Sequence, residues 1–562
     1  MDGFSPNVQV ILDKFKFRNQ IDTMVDADIL GAVIEKFVSS DINLSPNPVW
    51  KDEAKTIMRH PGLDNHGMGT IFEELIRRFN EENNEEAGEH WTPRDVVELM
   101  ADLVFIPIAD QIQDATYSCY DGACGTGGML TVAQDRLLTL AHRRGKDVSI
   151  HLFGQEINPE TYAICTADML LKGDGEQAEH IGFGSTLSLD QHSSRQFDFM
   201  LSNPPYGKSW KTDAEKMGGK KEILDTRFNT YLEGGEEMAM IPRTSDGQLL
   251  FLLNNISKMK KDSPLGSRIA EVHNGSSLFT GDAGSGESNA RRYMIGNDLV
   301  EAIIALPDNM FYNTGIGTFI WVLTNRKEDR RVGKIQLIDA TKMKSPLRRN
   351  MGKKNCEFTE DIRKEIMRIF TSMEESEISR VFDNREFGYW SITVEQPLRL
   401  RVLPSKHIPS SIFRNEAEQI LCEKALRKAA AVAALDDWTE FSKASGLKAA
   451  LLKKIRPFIT EKDASAKAID GEADADLRDT ELVPFTYKGG IDSFLRNEVL
   501  TYAPDAWVDE KKTSVGYELS FTKYFYRPVE LRNMDEILET LRSLENDSTG
   551  MLEEIIGGIA NA

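Results

Sequence analysis

Cysteine is scarce in this chain. Five residues (Cys119, Cys124, Cys165, Cys356 and Cys422) are spread over 562 positions and form no CxxC pair. That excludes a disulfide scaffold and a cysteine-rich metal site, and no metal centre is expected. Apolar runs are short as well: nowhere do about 18 apolar residues follow one another, so no membrane-spanning helix is expected. Positive charge is the third shortage, with Lys and Arg totalling 68 against 89 Asp and Glu for a formal net charge of -21. An acidic surface binds nucleic acid poorly by charge alone, so action on DNA or RNA calls for a local basic channel or a basic partner. The first residues include Asp2, Asp13, Lys14, Lys16 and Arg18 where a secretory signal would carry an apolar core. The expectation is a soluble cytoplasmic protein without a membrane partner.

At roughly 100–200 residues per domain the length implies two to four domains. Residues 1–80 read as a helical N-terminal domain, with Ile29, Ile34, Phe37 and Val38, then Ile71, Leu75 and Phe79, at helical spacing. The polar run Asn80–Gly88 reads as a linker or surface loop. Thr92-Pro93 then opens a helix, with Thr92 as N-cap and Pro93 in the first helical position. Residues 81–345 form the central domain, in which strands at Tyr117–Tyr120, Ser149–Phe153 and Phe197–Ser202 alternate with helices at Met129–Arg144 and Thr161–Leu171. This alternation predicts a parallel, doubly wound α/β sheet. Val300–Leu306 and Phe319–Thr324 add two strands, and Gly275–Ala290, rich in Gly, Ser and Asn, reads as a flexible insertion. Residues 346–562 read as a largely helical C-terminal region, with helices at Ala417–Leu435 and Lys443–Ile455 and an exposed acidic loop at Asp470–Asp479. A last helix, Met534–Ile559, carries Ile537, Leu541, Leu544, Met551 and Ile555 on a rough apolar stripe, suited to internal packing or to a partner.

Three segments carry chemistry. The turn Asp121-Gly122-Ala123-Cys124-Gly125-Thr126-Gly127-Gly128 joins a strand to a helix, and its glycines leave backbone amides facing a ligand at the helix N-terminus. It lacks the GK[ST] ending of a triphosphate cradle. Taken alone, it fits either a nucleotide site or a plain connection. Glu156-Ile157 ends the second strand, where an acidic side chain accepts hydrogen bonds from both hydroxyls of a ribose. The third segment is decisive. Phe197–Ser202 runs into Asn203-Pro204-Pro205-Tyr206, whose prolines fix the backbone and hold Asn203 rigidly at the strand's C-terminal edge. The Asn203 side-chain oxygen and the Pro204 carbonyl are suited to accept hydrogen bonds from an exocyclic amino group, and Tyr206 to stack on the ring that bears it.

With these segments in this order, the chain resembles the N6-adenine DNA methyltransferases that use S-adenosylmethionine. More closely, it resembles the modification (methyltransferase) subunit of type I restriction-modification systems. Further segments carry the likeness: Gly88-Glu89-His90-Trp91-Thr92-Pro93-Arg94, Asp298–Pro307, Phe311–Ile316 and Gly516–Tyr526, so that it spans about residues 5–530. The resemblance implies that Glu89, His90, Trp91, Thr92, Pro93 and Arg94 contact the cofactor. It assigns the methionine-side turn to Asp121, Ala123, Gly125, Thr126, Gly127 and Gly128, the ribose to Glu156 with Ile157, and catalysis to Asn203, Pro204, Pro205 and Tyr206. The chain departs from the family at His90-Trp91, at Ser202 and at Gly317. Because Ser-Pro-Pro-Tyr is the cytosine-N4 version, Ser202 bears on the target base, but Asn203 occupies the variable position and favours adenine. A base paired in a duplex must be flipped out to reach such a site.

The implied partners are duplex DNA, a DNA specificity subunit that reads the sequence, and an endonuclease subunit of the same assembly. The loop Lys208–Arg227 mixes six cations with four acids, which suits a solvated lid better than a phosphate clamp. The terminal helix is the expected docking face for the specificity subunit. Two alternatives stay open: methylation of a protein glutamine or of RNA, and a non-catalytic assembly subunit that keeps the fold.

Overall fold

The architecture is that of a computed structural model, which describes residues 6–63, 71, 92–171, 175–220, 222–232, 234–526, 534, 537–540 and 542–544. The chain divides into one unit through Leu519 and a second from Ser520 onward. Apolar runs bounded by glycine, proline or acidic residues become the strands of a nine-stranded sheet. These are β1 (Ala115–Asp121), β2 (Val148–Glu156), β3 (Ile181–Phe183), β4 (Phe199–Ser202), β5 (Arg268–Asn274), β6 (Val300–Ala305), β7 (Thr318–Thr324), β8 (Lys334–Asp339) and β9 (Ser379–Asp383). Their order across the sheet is 9-8-6-7-5-4-1-2-3. Neighbours are parallel except at β7, which is antiparallel to β5 and β6, and at β9, antiparallel to β8. Central strands read as continuous apolar runs because helices cover both faces, and β4 and β6 are buried at every position.

Helices α1 (Arg94–Phe105), α2 (Gly128–Arg143) and α3 (Pro159–Leu171) pack beside β1, β2 and β4. Helix α1 buries an unbroken stretch from Leu99 to Phe105, and Phe105 meets Phe199 of β4 edge-on at 4.9 Å. The chain order reverses between β1 and β4, so the crevice above their C-terminal ends is the topological switch point where doubly wound folds bind ligands. The doubly wound α/β expectation therefore holds, enlarged by an antiparallel strand on the β5 side and another at the edge.

Several local expectations need correction. Thr92 is not the cap of α1: Pro93 is the N-cap residue, its carbonyl accepting from the amides of Val96 and Val97. Gly275–Ala290 is no loose insertion, because it holds helix Ser276–Phe279 and the whole first turn of helix Gly286–Gly296, with Ser277, Ser288 and Asn289 buried. Its small polar side chains bond to backbone: the Ser285 hydroxyl accepts from the Ser288 amide, and Asn289 donates to the Ala239 carbonyl at 2.9 Å. The sheet runs on to Asp383, past the boundary expected at 345, because β8 pairs with β9. Beyond that point the chain is not largely helical. Gly388–Glu395 pairs with Asp479–Pro484, Trp507–Val508 and Ser514–Tyr517, and Pro397–Val402 pairs with Thr460–Lys462 and Ala468–Ala473. The expected acidic loop at Asp470–Asp479 is therefore partly strand, and Asp474 is buried against Lys462. One expected helix is two, Trp438–Ser445 and Ala449–Ile459, broken at Gly446 with φ +64°.

Before the sheet lie three short helices, Pro6–Lys14, Phe17–Asp26 and Leu30–Phe37, and a small hairpin of Val49–Trp50 with Met58–His60. The expected linker at Asn80–Gly88 lies outside the described residues, as do Leu75, Phe79 and most of the expected helix Met534–Ile559. In the C-terminal unit, Phe521–Phe525 forms a short helix capped by the Ser520 hydroxyl. Among the described residues no helix is long and apolar enough to cross a membrane.

Candidate active site

A cleft of about 540 Å³ opens above the C-terminal ends of β1, β2 and β4. Of the residues singled out in the sequence, Thr92, Arg94, Asp121, Ala123, Gly125, Thr126, Gly128, Glu156, Ile157 and Asn203–Tyr206 all line it. Pro93 and Gly127 are not among the lining residues. Gly127 has φ +83° and is the N-cap of α2, and a Cβ there would lie 2.8 Å from the Cys165 sulfur, so its role is the close approach of α2 to α3. Glu89, His90 and Trp91 lie outside the described residues.

The glycine turn is held open by carboxylates at both ends. Asp121 at the tip of β1 accepts from the Ala123 amide at 3.0 Å and from the Ser202 hydroxyl at 2.7 Å. Burial pushes its carboxyl up to about 7, with the charges of Glu271 and Glu156 adding to the rise against those two hydrogen bonds. Glu156 at the tip of β2 accepts from the Gly125 amide at 3.0 Å on one oxygen and from the Asn158 amide at 2.7 Å on the other. Gly125 takes φ +55°, a left-handed conformation that lets its amide point at Glu156.

The Asn-Pro-Pro-Tyr segment leaves β4 directly. Ser202 is fully buried with its hydroxyl on Asp121 and is not among the residues lining the cleft. Asn203 lines it. Its amide nitrogen donates to the Thr92 hydroxyl at 2.9 Å. Its side-chain oxygen is buried and has no hydrogen-bond partner among the described residues. Leaving a buried acceptor unpaired costs about 1–3 kcal/mol, a cost that a donor entering beside it would relieve. Pro204 is buried, Pro205 exposed and Tyr206 half-buried, and burial pushes the Tyr206 hydroxyl up to about 12. That phenol stays neutral at ordinary pH and presents an aromatic wall.

Other wall residues were not legible as such. Trp210, Phe251 and Tyr312 add aromatic surface, Tyr312 from the Phe311–Ile316 segment already noted in the sequence. The turn after β3 supplies Gly184–Leu187. Arg227, counted among the lid cations, is in fact its brace. The guanidinium donates to the carbonyls of Thr186 at 2.8 Å and Leu187 at 2.7 Å, and to Asn254 at 2.9 Å, while pairing with Asp225. Thr186 in turn donates to the Gly122 carbonyl. Only the spacing of Asp225 and Arg227, two residues apart, hinted at a fixed pair. Among the described residues no cluster of His, Cys, Asp and Glu is arranged to hold a metal ion.

The family profile described as N-6 DNA Methylase matches residues 63–395. The chain is 25% identical over 314 residues to the type I restriction enzyme MjaIX methylase subunit of Methanocaldococcus jannaschii, covering 55% of this chain and 50% of that one. It is 26% identical over 283 residues to the HindI methylase subunit of Haemophilus influenzae, covering 49% and 54%. The chain thus spans about half the length of the curated relatives it matches. Among solved structures, the methyltransferase subunit of a type I restriction-modification system from Streptococcus thermophilus aligns with a TM-score of 0.46 at 24% identity, covering 57% of this chain and 61% of that one.

Proposed function

The chain belongs to the N-6 DNA methylase family, and from that premise we propose that it methylates adenine N6 in duplex DNA as the modification subunit of a type I restriction-modification assembly. The observation that carries this reading is the Asn203 side-chain oxygen, buried at the cleft and unpartnered among the described residues. An exocyclic amino group is the donor such an acceptor lacks.

The cleft fits S-adenosylmethionine by the chemistry of its walls. The Asp121–Gly128 turn offers backbone amides at a helix N-terminus, suited to a carboxylate, and Glu156 offers acceptors suited to ribose hydroxyls. Arg94, Thr126 and Ile157 complete the cofactor side of the same cleft. When bound, S-adenosylmethionine supplies the methyl group on an electrophilic sulfonium. The protein's part is to prepare the nitrogen. The lone pair of adenine N6 is delocalised into the ring, and hydrogen bonds from N6 to Asn203 and to the Pro204 carbonyl favour the tetrahedral nitrogen of the transition state over the planar ground state. Tyr206 provides the stacking face for a flipped base, and positioning supplies much of the acceleration.

With an overall charge of -21, sequence readout falls to a separate specificity subunit. Family membership favours DNA over RNA or a protein glutamine, and the intact Asp121, Glu156 and Asn203 favour an active enzyme over a scaffold. The test is transfer of label from methyl-labelled S-adenosylmethionine to duplex DNA, to RNA of the same sequence and to a glutamine-bearing peptide. Label is expected in the duplex alone, and label in RNA or peptide instead would reject the reading.

A further inference from the structure

We propose that Thr92 is a positioning residue for Asn203, fixing the amide so that its oxygen, and not its nitrogen, faces the target amine. The inference rests on the reading of Asn203 as the acceptor of that amine, and it moves Thr92 from the cofactor's ligands to the base's side of the site.

An Asn side chain has an acceptor end and a donor end, and only the acceptor end helps an amino group lose planarity. Turned by 180°, the same side chain would present two N–H donors to an N–H donor, a repulsive arrangement. In this structure the nitrogen is engaged elsewhere: it donates to the Thr92 hydroxyl at 2.9 Å, which leaves the oxygen as the unpaired end of the amide among the described residues.

Both ends of this contact are anchored independently. Asn203 is the last residue before two prolines, at the tip of a fully buried strand. Thr92 directly precedes Pro93, the N-cap of α1, whose carbonyl takes the amides of Val96 and Val97. The first turn of that helix is pinned through Asp95, which pairs with the buried Lys354 at 3.2 Å and accepts from the Phe358 amide at 2.8 Å. Threonine is also stiff about χ1, so its hydroxyl is held where a serine's would have more freedom. Two rigid supports 111 residues apart thus meet at one amide.

The test uses Thr92→Val, which removes the hydroxyl at nearly constant volume, with Thr92→Ser and Asn203→Ala alongside, all in the full chain within the assembly that methylates DNA. Single-turnover methyl transfer, affinity for S-adenosylhomocysteine by calorimetry and melting temperature are measured for each. We expect Thr92→Val to slow methyl transfer by about 10- to 100-fold with cofactor affinity within about twofold, and Thr92→Ser to restore most of the rate. In the Asn203→Ala background, Thr92→Val should have no further effect, because Thr92 acts through Asn203. Weakened cofactor affinity at an unchanged rate would overturn the proposal and return Thr92 to the cofactor. So would an unchanged rate and affinity, or a further loss in the double variant. Should Thr92→Val not fold, Thr92→Ala carries the same expectations. Full activity of Asn203→Ala is a different failure, which removes the acceptor reading itself.

Discussion

The Ser202 hydroxyl donates to Asp121 at 2.7 Å, tying the tip of β4 to the tip of β1 beneath the cleft. Ser202 is thus a strut between the glycine turn and the Asn-Pro-Pro-Tyr segment. The same contact has a pH signature.

The Asp121 carboxyl is raised by burial from its ordinary value of 3.8 to about 7. Between those values the folded chain keeps a proton that the unfolded chain has released, so folding stability falls as pH rises through the window and levels off above it. Buried His273, pushed down from 6.5 to about 3, works in the opposite sense: its contribution is lost as pH falls below 6.5. The variant Asp121→Asn removes only the first effect. Relative to the parent chain it should gain stability steadily from about pH 4 to pH 7 in denaturant titrations. A difference independent of pH would mean that Asp121 is ionised in the folded chain throughout.

Glu156→Ala should weaken S-adenosylhomocysteine binding through the loss of charged acceptors, each worth on the order of 1.5–3 kcal/mol at most. Because Glu156 also holds the amides of Gly125 and Asn158, the loss includes a loosened turn. Glu156→Gln, which keeps one acceptor oxygen, should fall between the two. Calorimetry showing equal affinity in all three proteins would remove the ribose assignment.

Arg227 makes a prediction about stability, not about DNA. Removing it strands the carbonyls of Thr186 and Leu187 and leaves Asp225 without its cation. Arg227→Met should therefore cost about 3 kcal/mol in unfolding free energy and leave the salt dependence of DNA binding as it was. Unchanged stability with a salt slope lowered by about 1 would instead mark a phosphate contact.

How far the sequence could be read follows from the range of each interaction. Strands β1, β2 and β4 and the turn after β1 are legible because apolar runs, glycines and prolines act within a few residues. Asn203 is legible because two prolines and a tyrosine beside it have few bland uses. The Thr92–Asn203 bond is not, since nothing local announces a partner 111 residues away. The Gly275–Ala290 segment misleads because Ser and Asn look solvent-loving while here they satisfy nearby backbone in a buried setting. The strands beyond 385 are hidden by their charges. Glu395, on a strand, is buried and paired with both Arg478 and Lys512, an arrangement that sequence spacing does not disclose.

The most direct measurement is the identity of the methylated base. Duplex DNA treated with the assembly and S-adenosylmethionine is digested to nucleosides and resolved by mass spectrometry, once with the parent chain and once with Asn203→Ala. The account predicts N6-methyladenine from the parent chain. For Asn203→Ala it predicts a loss of about 10²–10³ in rate with S-adenosylhomocysteine affinity retained. N4-methylcytosine as the product, or N6-methyladenine formed at the parent rate by Asn203→Ala, would contradict it.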